Sequence, residues 1–333
     1  QAIIAFIATI CIFLFISQPH FFIHYTIFLY FLKKSFSFIL PLIKLYLKIG
    51  GIIMTTLYVS DLDGTLLNSN QTLSPFTIQT INQLVSDGML FSYATARSYQ
   101  TAKKVTQGLQ APFPLIVYNG ACMRDNVSGE ILLSHCFQED IHLLLDHFLN
   151  NHLYPIVYAF IDGEEKFSFI PEKCTPGMLE FIESRKGDPR IRIIHHPKDF
   201  YVGQIFYVTL IDETDKLKPF YEYYQKQYHC LFQKDIYTNQ QWLEIMPQGT
   251  SKAHAIEQLK HIYHYDRLVV FGDGENDIEM FQLANEAYAV DNAHEKLKAI
   301  ATQIIPSNDQ DGVAQFLKQT WKNKELSSLI LDK

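Results

Sequence analysis

The first 60 residues contain no aspartate or glutamate; the first acidic residue of the chain is Asp61. Residues 1–32 also lack lysine and arginine, and lysines then stand at 33, 34, 44 and 48. The five cysteines, Cys11, Cys122, Cys136, Cys174 and Cys230, form no CxxC pair. That spacing argues against a disulfide framework or a zinc site and fits reduced thiols in the cytoplasm. An excess of positive charge is missing as well. The formal net charge is −7, which argues against a protein that coats nucleic acid and leaves room for a local basic pocket for a small anion. No fixed-period repeat and no low-complexity linker occur. With 48% hydrophobic and 19% charged residues, the chain can build a sizeable core rather than stay disordered. A length of 333 residues accommodates one large or two ordinary domains.

Residues 1–53 form a hydrophobic extension. Two apolar runs, AIIAFIATICIFLFIS and FFIHYTIFLYFL, flank Gln18-Pro19-His20. Each is short against the ~20 residues of a spanning helix, and a signal peptide fits poorly without a basic start or a small-residue cleavage site. A membrane anchor with a cytoplasmic lysine flank is one reading. The preferred expectation is different. Gly50-Gly51 would be encoded by a purine-rich stretch resembling a ribosome-binding site, two codons ahead of Met54, and composition switches there. On that reading Met54 is the natural start and residues 1–53 are translated upstream sequence.

From Met54 onward, apolar runs alternate with amphipathic segments. Residues 55–60 (TTLYVS) read as a buried parallel strand. A helix follows, with Ser74 as N-cap, Pro75 in its first turn, a stripe of Ile78, Ile81, Leu84 and Val85, and Gly88 as stop. Strands at 89–95 and 114–121 enclose a second helix. This β-α-β-α-β order predicts a doubly wound, Rossmann-like parallel sheet. Strand pairs interleaved with helices then suggest an α+β cap domain inserted at 137–243. The α/β pattern resumes, so the expected core is 54–136 plus 244–333.

Four elements fall where doubly wound sheets place ligands, at the carboxyl ends of strands or at a helix start. They are DLDGT (61–65), Ala94-Thr95, Lys252 and GDGEND (272–277). A lone DxD is weak; four in this order are much more specific. Their chemistry fits phosphoryl transfer. Asp61, first past its strand, would attack phosphorus and form an aspartyl-phosphate. Asp63 would protonate the leaving oxygen and later deprotonate water. Gly64 would let the backbone turn tightly and present N–H groups to the phosphate. Hard oxygen ligands suit Mg²⁺: Asp61, the Asp63 carbonyl and Asp273, with Asp277 and Asn276 orienting waters. Thr95 would hold a phosphoryl oxygen, and Lys252 would offset charge on the transferred group.

With these residues in view, the chain resembles the haloacid-dehalogenase-like hydrolases, and within them the Cof-type phosphatases with a type IIB cap. The matching motifs are DLDGTLL, ATARS, Ser251-Lys252 and GDGENDIEM, supported by YNGA (118–121), DNA (291–293) and SNDQDGVA (307–314). The resemblance runs from Met54 to about Lys318 and implies a Rossmann-like core, a mobile cap and a Mg²⁺-dependent aspartyl-phosphate mechanism. In one departure, the usual Thr-Gly-Arg is here Thr95-Ala96-Arg97. Residues 1–53 have no counterpart in the family.

Other conspicuous residues have plainer readings. His195-His196 belongs on a cap loop rather than a metal, the tyrosines of 221–228 in cap packing, and Lys103-Lys104 on a solvated helix face. Arg97 is either a substrate contact or a surface ion pair. Asn119 and Asn292 are candidate substrate contacts or turn formers. The expected activity is cytoplasmic, Mg²⁺-dependent hydrolysis of a small phosphorylated metabolite such as a sugar phosphate, nucleotide or pyridoxal phosphate. A phosphomutase is the alternative within the family. A membrane-tethered binding or regulatory protein with a vestigial core is the alternative outside it.

Overall fold

The structure, a computed structural model, describes residues 55–111, 113–235 and 239–331. The expectations about residues 1–53 lie outside these. Among the described residues, no helix is long and apolar enough to cross a membrane.

The chain opens with β1 (Thr56–Ser60), α1 (Pro75–Ser86), β2 (Leu90–Tyr93), α2 (Tyr99–Val105) and β3 (Leu115–Val117). Strands β4 (Cys122–Arg124) and β5 (Ile131–Ser134) fold back on β3 as an antiparallel meander that the hydrophobic pattern does not announce. Next come α3 (Ile141–Asn150), β6 (Ile156–Ile161), β7 (Glu164–Phe169), α4 (Pro176–Glu183), β8 (Ile191–Ile193), β9 (Gln204–Asp212), α5 (Thr214–Tyr224), β10 (His229–Lys234) and β11 (Gln241–Met246). The chain closes with α6 (Lys252–Tyr263), β12 (Arg267–Gly272), α7 (Ile278–Leu283), β13 (Glu286–Val290), α8 (Glu295–Lys298), β14 (Gln303–Ile305) and α9 (Gly312–Leu331).

Five parallel strands form the core sheet in the order β14-β13-β12-β1-β2. Strand β1 is central and buried on both faces, which its uninterrupted Leu57-Tyr58-Val59 run allows. The chain leaves β1 toward β2 and returns to β12 on the opposite side, so the sheet reverses winding direction at β1. That reversal opens a crevice at the carboxyl ends of β1 and β12. Helix α1 forms as its caps predict: the Ser74 hydroxyl accepts the Thr77 N–H at 3.0 Å, and Gly88 ends it with φ +100°.

Six strands make the second sheet, in the order β10-β11-β9-β6-β7-β8. It is antiparallel except for the β7–β8 pair. Along β6, Val157 and Ala159 pack beneath α3 and α5 with Phe148 and Leu217. Ile156, Tyr158 and Phe160 belong to the other apolar cluster, which is continuous with the core sheet. The strict alternation gives this sheet one helix-covered face and one face toward the crevice. The last cap strand runs to Met246, past the expected boundary at 243. Helix α4 went unread in the sequence although Thr175-Pro176 carries its start signal; the Thr175 hydroxyl accepts the Met178 N–H at 3.3 Å.

The plainer sequence readings meet a mixed outcome. His195 and His196 are exposed beyond β8. Tyr221 stacks on Phe232 and Tyr224 packs on Phe148, as cap packing requires. Lys103, expected on a solvated face, instead donates to Asn126 Oδ1 at 2.9 Å because the turn after β4 folds over α2.

Candidate active site

The register of the core sheet assembles the site. Ser60 pairs with Phe271 and Tyr93, so the chain leaves β1, β12 and β2 at one level. The Asp61 N–H bonds the Phe271 carbonyl at 2.9 Å, which extends the pairing by one residue and fixes the side chain's base. Beyond it, Gly64 takes φ +74°. A Cβ there would stand 2.3 Å from Asp273 Oδ2, so only glycine lets this turn approach the β12 loop so closely. Gly120 works the same way: a Cβ would meet the Ser251 carbonyl oxygen at 2.1 Å, where α6 begins.

Lys252, at the first turn of α6, is 1% exposed. Its ammonium donates to Asp61 Oδ1 at 2.7 Å and to Asp277 Oδ1 at 2.7 Å. Asp277 Oδ2 accepts the N–H groups of Asp273 at 3.0 Å and Gly274 at 3.1 Å. Asp273 Oδ1 accepts the Thr65 hydroxyl at 2.8 Å. One carboxylate oxygen each from Asp61, Asp273 and Asp277 lies within 4.8 Å of the others. Asp61 and Asp277 are buried and Asp273 half-buried, and together they make an all-oxygen donor cluster, the donor type that suits Mg²⁺ rather than a soft metal.

Charge balance in the cluster is incomplete. Burial pushes the Asp61 carboxyl well above the ordinary carboxylate range, against the opposing pull of Lys252, and Asp277 and Asp273 add repulsion. Burial and then the Asp277 charge push Asp273 up to about 7. Burial disfavours the Lys252 ammonium, yet Asp277 and Asp61 outweigh it and hold the group protonated above its usual range. Three carboxylates facing one ammonium leave a deficit of positive charge, which a divalent cation would fill. The residues present therefore fit the metal that the motifs imply.

The remaining candidates divide. Asp63 does not join the carboxylate cluster; its side chain is held by Arg97, at 2.7 and 2.6 Å. Of the two readings of Arg97, this geometry is the ion pair, and Gln71 takes a further Arg97 N–H at 2.7 Å. Thr95 is fully buried and its hydroxyl accepts the Arg97 N–H at 3.1 Å, which braces the turn through Ala96. Asn292 turns to the Gly64 carbonyl at 2.7 Å and the Asn308 N–H at 3.0 Å, bracing the DLDGT turn from behind. Asn119 joins core to cap: it accepts from Asn276 at 3.1 Å and donates to the Tyr207 hydroxyl at 2.9 Å. Tyr207 in turn donates to Glu244 at 2.7 Å.

A cleft of about 520 Å³ runs from Asp61, Asp63 and Asp273 to the open face of the cap sheet. Its cap wall includes Tyr158, Phe181, Arg185, Trp242 and Glu244. Sequence reading singled out none of these as site residues. Tyr158, Trp242 and Glu244 look like ordinary inward strand positions, Phe181 and Arg185 belong to the unread helix α4 and its end, and only the fold shows that all five face the crevice.

A family profile described as haloacid dehalogenase-like hydrolase matches residues 58–317. The chain is similar to a 5-amino-6-(5-phospho-D-ribitylamino)uracil phosphatase of Bacillus subtilis, 29% identical over 283 residues, spanning 78% of this chain and 96% of the relative. A second such phosphatase of the same organism is 26% identical over 271 residues, spanning 78% and 95%. Among solved structures, a haloacid dehalogenase-like hydrolase of Bacteroides thetaiotaomicron shares the fold with a TM-score of 0.67 at 23% identity, covering 80% of this chain and 99% of that one.

Proposed function

The chain belongs to the haloacid dehalogenase-like hydrolase family, and from that premise we propose a cytoplasmic, Mg²⁺-dependent phosphatase for a small phosphorylated metabolite. The carrying observation is Lys252 bridging Asp61 and Asp277 beside Asp273. This arrangement leaves one carboxylate at the floor of the cleft with its charge partly offset. The insert of residues 137–246 acts as the cap.

In this mechanism an Asp61 carboxylate oxygen attacks phosphorus and the ester P–O bond breaks. Asp63 gives its proton to the departing oxygen. Water then attacks the aspartyl-phosphate, Asp63 takes a proton from it, and the P–O bond to Asp61 breaks to release phosphate and restore both residues. Lys252 holds Asp61 in one rotamer and offsets charge on the transferred group. Asp61, Asp273 and the Asp63 carbonyl would hold Mg²⁺, with Asp277 and Asn276 orienting its waters; when bound, the ion neutralises phosphoryl charge. N–H groups after Gly64 and the Ala96 N–H would meet the phosphoryl oxygens; the Thr95 and Arg97 N–H groups of that turn are taken by the Ile116 carbonyl and the Thr95 hydroxyl.

Two relatives act on a phosphoribityl-substituted uracil, as their names state. A phosphate ester carrying a planar ring is therefore the substrate class we favour. The test is turnover of p-nitrophenyl phosphate. The parent protein releases inorganic phosphate only with Mg²⁺, and Asp61→Asn does not. An Asp61→Asn protein as active as the parent would refute the nucleophile.

A further inference from the structure

The cap wall carries a guanidinium that, among the described residues, is in contact with no carboxylate, although Asp188 lies near enough to feel its charge. Arg185 follows α4 and lies over the Phe181 ring, its Cζ 3.5 Å from the ring centroid. Its Nη1 donates to the Phe181 carbonyl at 3.1 Å and to the Ser184 hydroxyl at 2.6 Å. Two nearby acids, Glu165 and Asp188, are both taken by Arg190. Among the described residues, no acid forms an ion pair with Arg185. Burial, and then the charges of Arg190 and Arg97 against two tyrosines, hold its pKa below the usual range. A charge in that position is costly to bury unless something else pairs with it.

The wall around it is aromatic. Trp242 meets Phe181 edge-on at 5.3 Å, and Phe167 meets Phe181 at 6.4 Å. Trp242 Nε1 is buried without a hydrogen-bond partner. Arg185, Phe181 and Trp242 line the same cleft as Asp61 and Asp63. A wall meant only to exclude water would need the rings and not the cation.

We propose that Arg185 is a specificity-determining residue that reads the oxo edge of a planar ring in the substrate's leaving group, with the Phe181–Trp242 wall stacking on the ring. With Nη1 taken by Phe181 and Ser184, the remaining guanidinium N–H groups can donate to a ring carbonyl oxygen, and the packing of Arg185 on Phe181 pre-orients them at little entropic cost. The phosphate end of such a molecule lies at Asp61 and the ring end under the cap. This inference rests on the phosphatase reading for the placement of the phosphate end.

The test uses the full chain carrying Asp61→Asn, which binds without turnover. Two probes separate the chemistry: flavin mononucleotide, an alditol phosphate with a dioxo ring edge, and glucose 6-phosphate, which has no planar ring. Adding Arg185→Met weakens flavin mononucleotide binding by about tenfold or more relative to its effect on glucose 6-phosphate, because a site built to hydrogen-bond is left unpaired. Arg185→Lys recovers part of the loss, since it restores charge without the fork. Equal weakening for both probes, or no weakening, overturns the assignment and makes Arg185 a packing residue. Hydrolysis is read separately on the Asp61 parent. Absent hydrolysis with intact Arg185-dependent flavin binding would sink the phosphatase reading and leave this one standing.

Discussion

Arg97 grips both carboxylate oxygens of Asp63, Nε to Oδ2 at 2.7 Å and Nη2 to Oδ1 at 2.6 Å. The pair is half-buried at the cleft floor, with side chains 17% and 23% exposed. On the proposed mechanism Asp63 has to reach the leaving oxygen, which requires this bidentate pair to open or shift when substrate enters. The two residues therefore separate in kinetics. With an alkyl phosphate, whose poor leaving group needs the acid, Asp63→Asn lowers kcat by about 100-fold or more. Arg97→Ala keeps the carboxylate, so its loss in kcat stays below about tenfold while KM changes. Equal losses in kcat would show that the pair works as a unit and Arg97 is part of the acid.

Lys252 anchors the floor of the site, and its removal reaches beyond catalysis. The ammonium is the hydrogen-bond partner of Asp61 Oδ1 and Asp277 Oδ1, both buried. Lys252→Met leaves two buried carboxylates without their cation, a change that typically costs roughly 3–5 kcal/mol. The expected outcome is a lower melting temperature together with lost turnover. Raising Mg²⁺ restores part of the stability and none of the activity. Unchanged melting would mean that the carboxylates find another partner.

Much of this site is legible in the sequence, and the reason is local. Asp61, Gly64, Lys252, Asp273 and Asp277 sit at strand ends or helix starts, and a parallel sheet brings such ends together by its register. The tight DLDGT turn also calls for a glycine at 64, where φ is +74°, although the close approach of Asp273 that forbids a Cβ there comes from far along the chain. The sequence does not reveal the partners that come from far along the chain. Asn292, expected near substrate, braces the Gly64 carbonyl from 228 residues away. Asp63, whose carbonyl is the expected metal ligand and whose side chain is the expected acid, has that side chain paired with Arg97, which stands just before α2. The cap is less legible still. Tyr207 joins Asn119 to Glu244 only after β9 and β11 pair across the insert, and no periodic pattern encodes that encounter.

On the proposed function, magnesium would act as a folding ligand as well as a cofactor. A ligand that binds only the native state stabilises it by about 2.7 kcal/mol at a hundredfold excess over Kd. Asp273 tests this cleanly. Burial makes its ionised form unfavourable in the metal-free protein, so Asp273→Asn does not destabilise that state. In differential scanning calorimetry the parent melts several degrees higher in Mg²⁺ than in chelator. The Asp273→Asn protein shows little or no shift. An undiminished shift in that variant would remove Asp273 from the ligand set.

Glu244 sets a pH dependence in the cap. It is 7% exposed, and burial raises its carboxyl from 4.5 to about 7, with Asp235 adding repulsion and Tyr207 and Lys252 opposing. The unfolded chain releases this proton near 4.5, whereas the native protein keeps it to about 7. Between those values the native state binds more protons, so stability falls as pH rises through the window. One carboxyl displaced this far contributes roughly 3 kcal/mol across it. Gln keeps an acceptor for the Tyr207 hydroxyl and has no proton to lose. Glu244→Gln is therefore more stable than the parent at pH 8 and close to it at pH 4.5. Urea titrations at the two pH values measure both quantities. A parent and variant that differ equally at both would show that Glu244 is ionised throughout, with Tyr207 donating to a carboxylate rather than to a neutral acid.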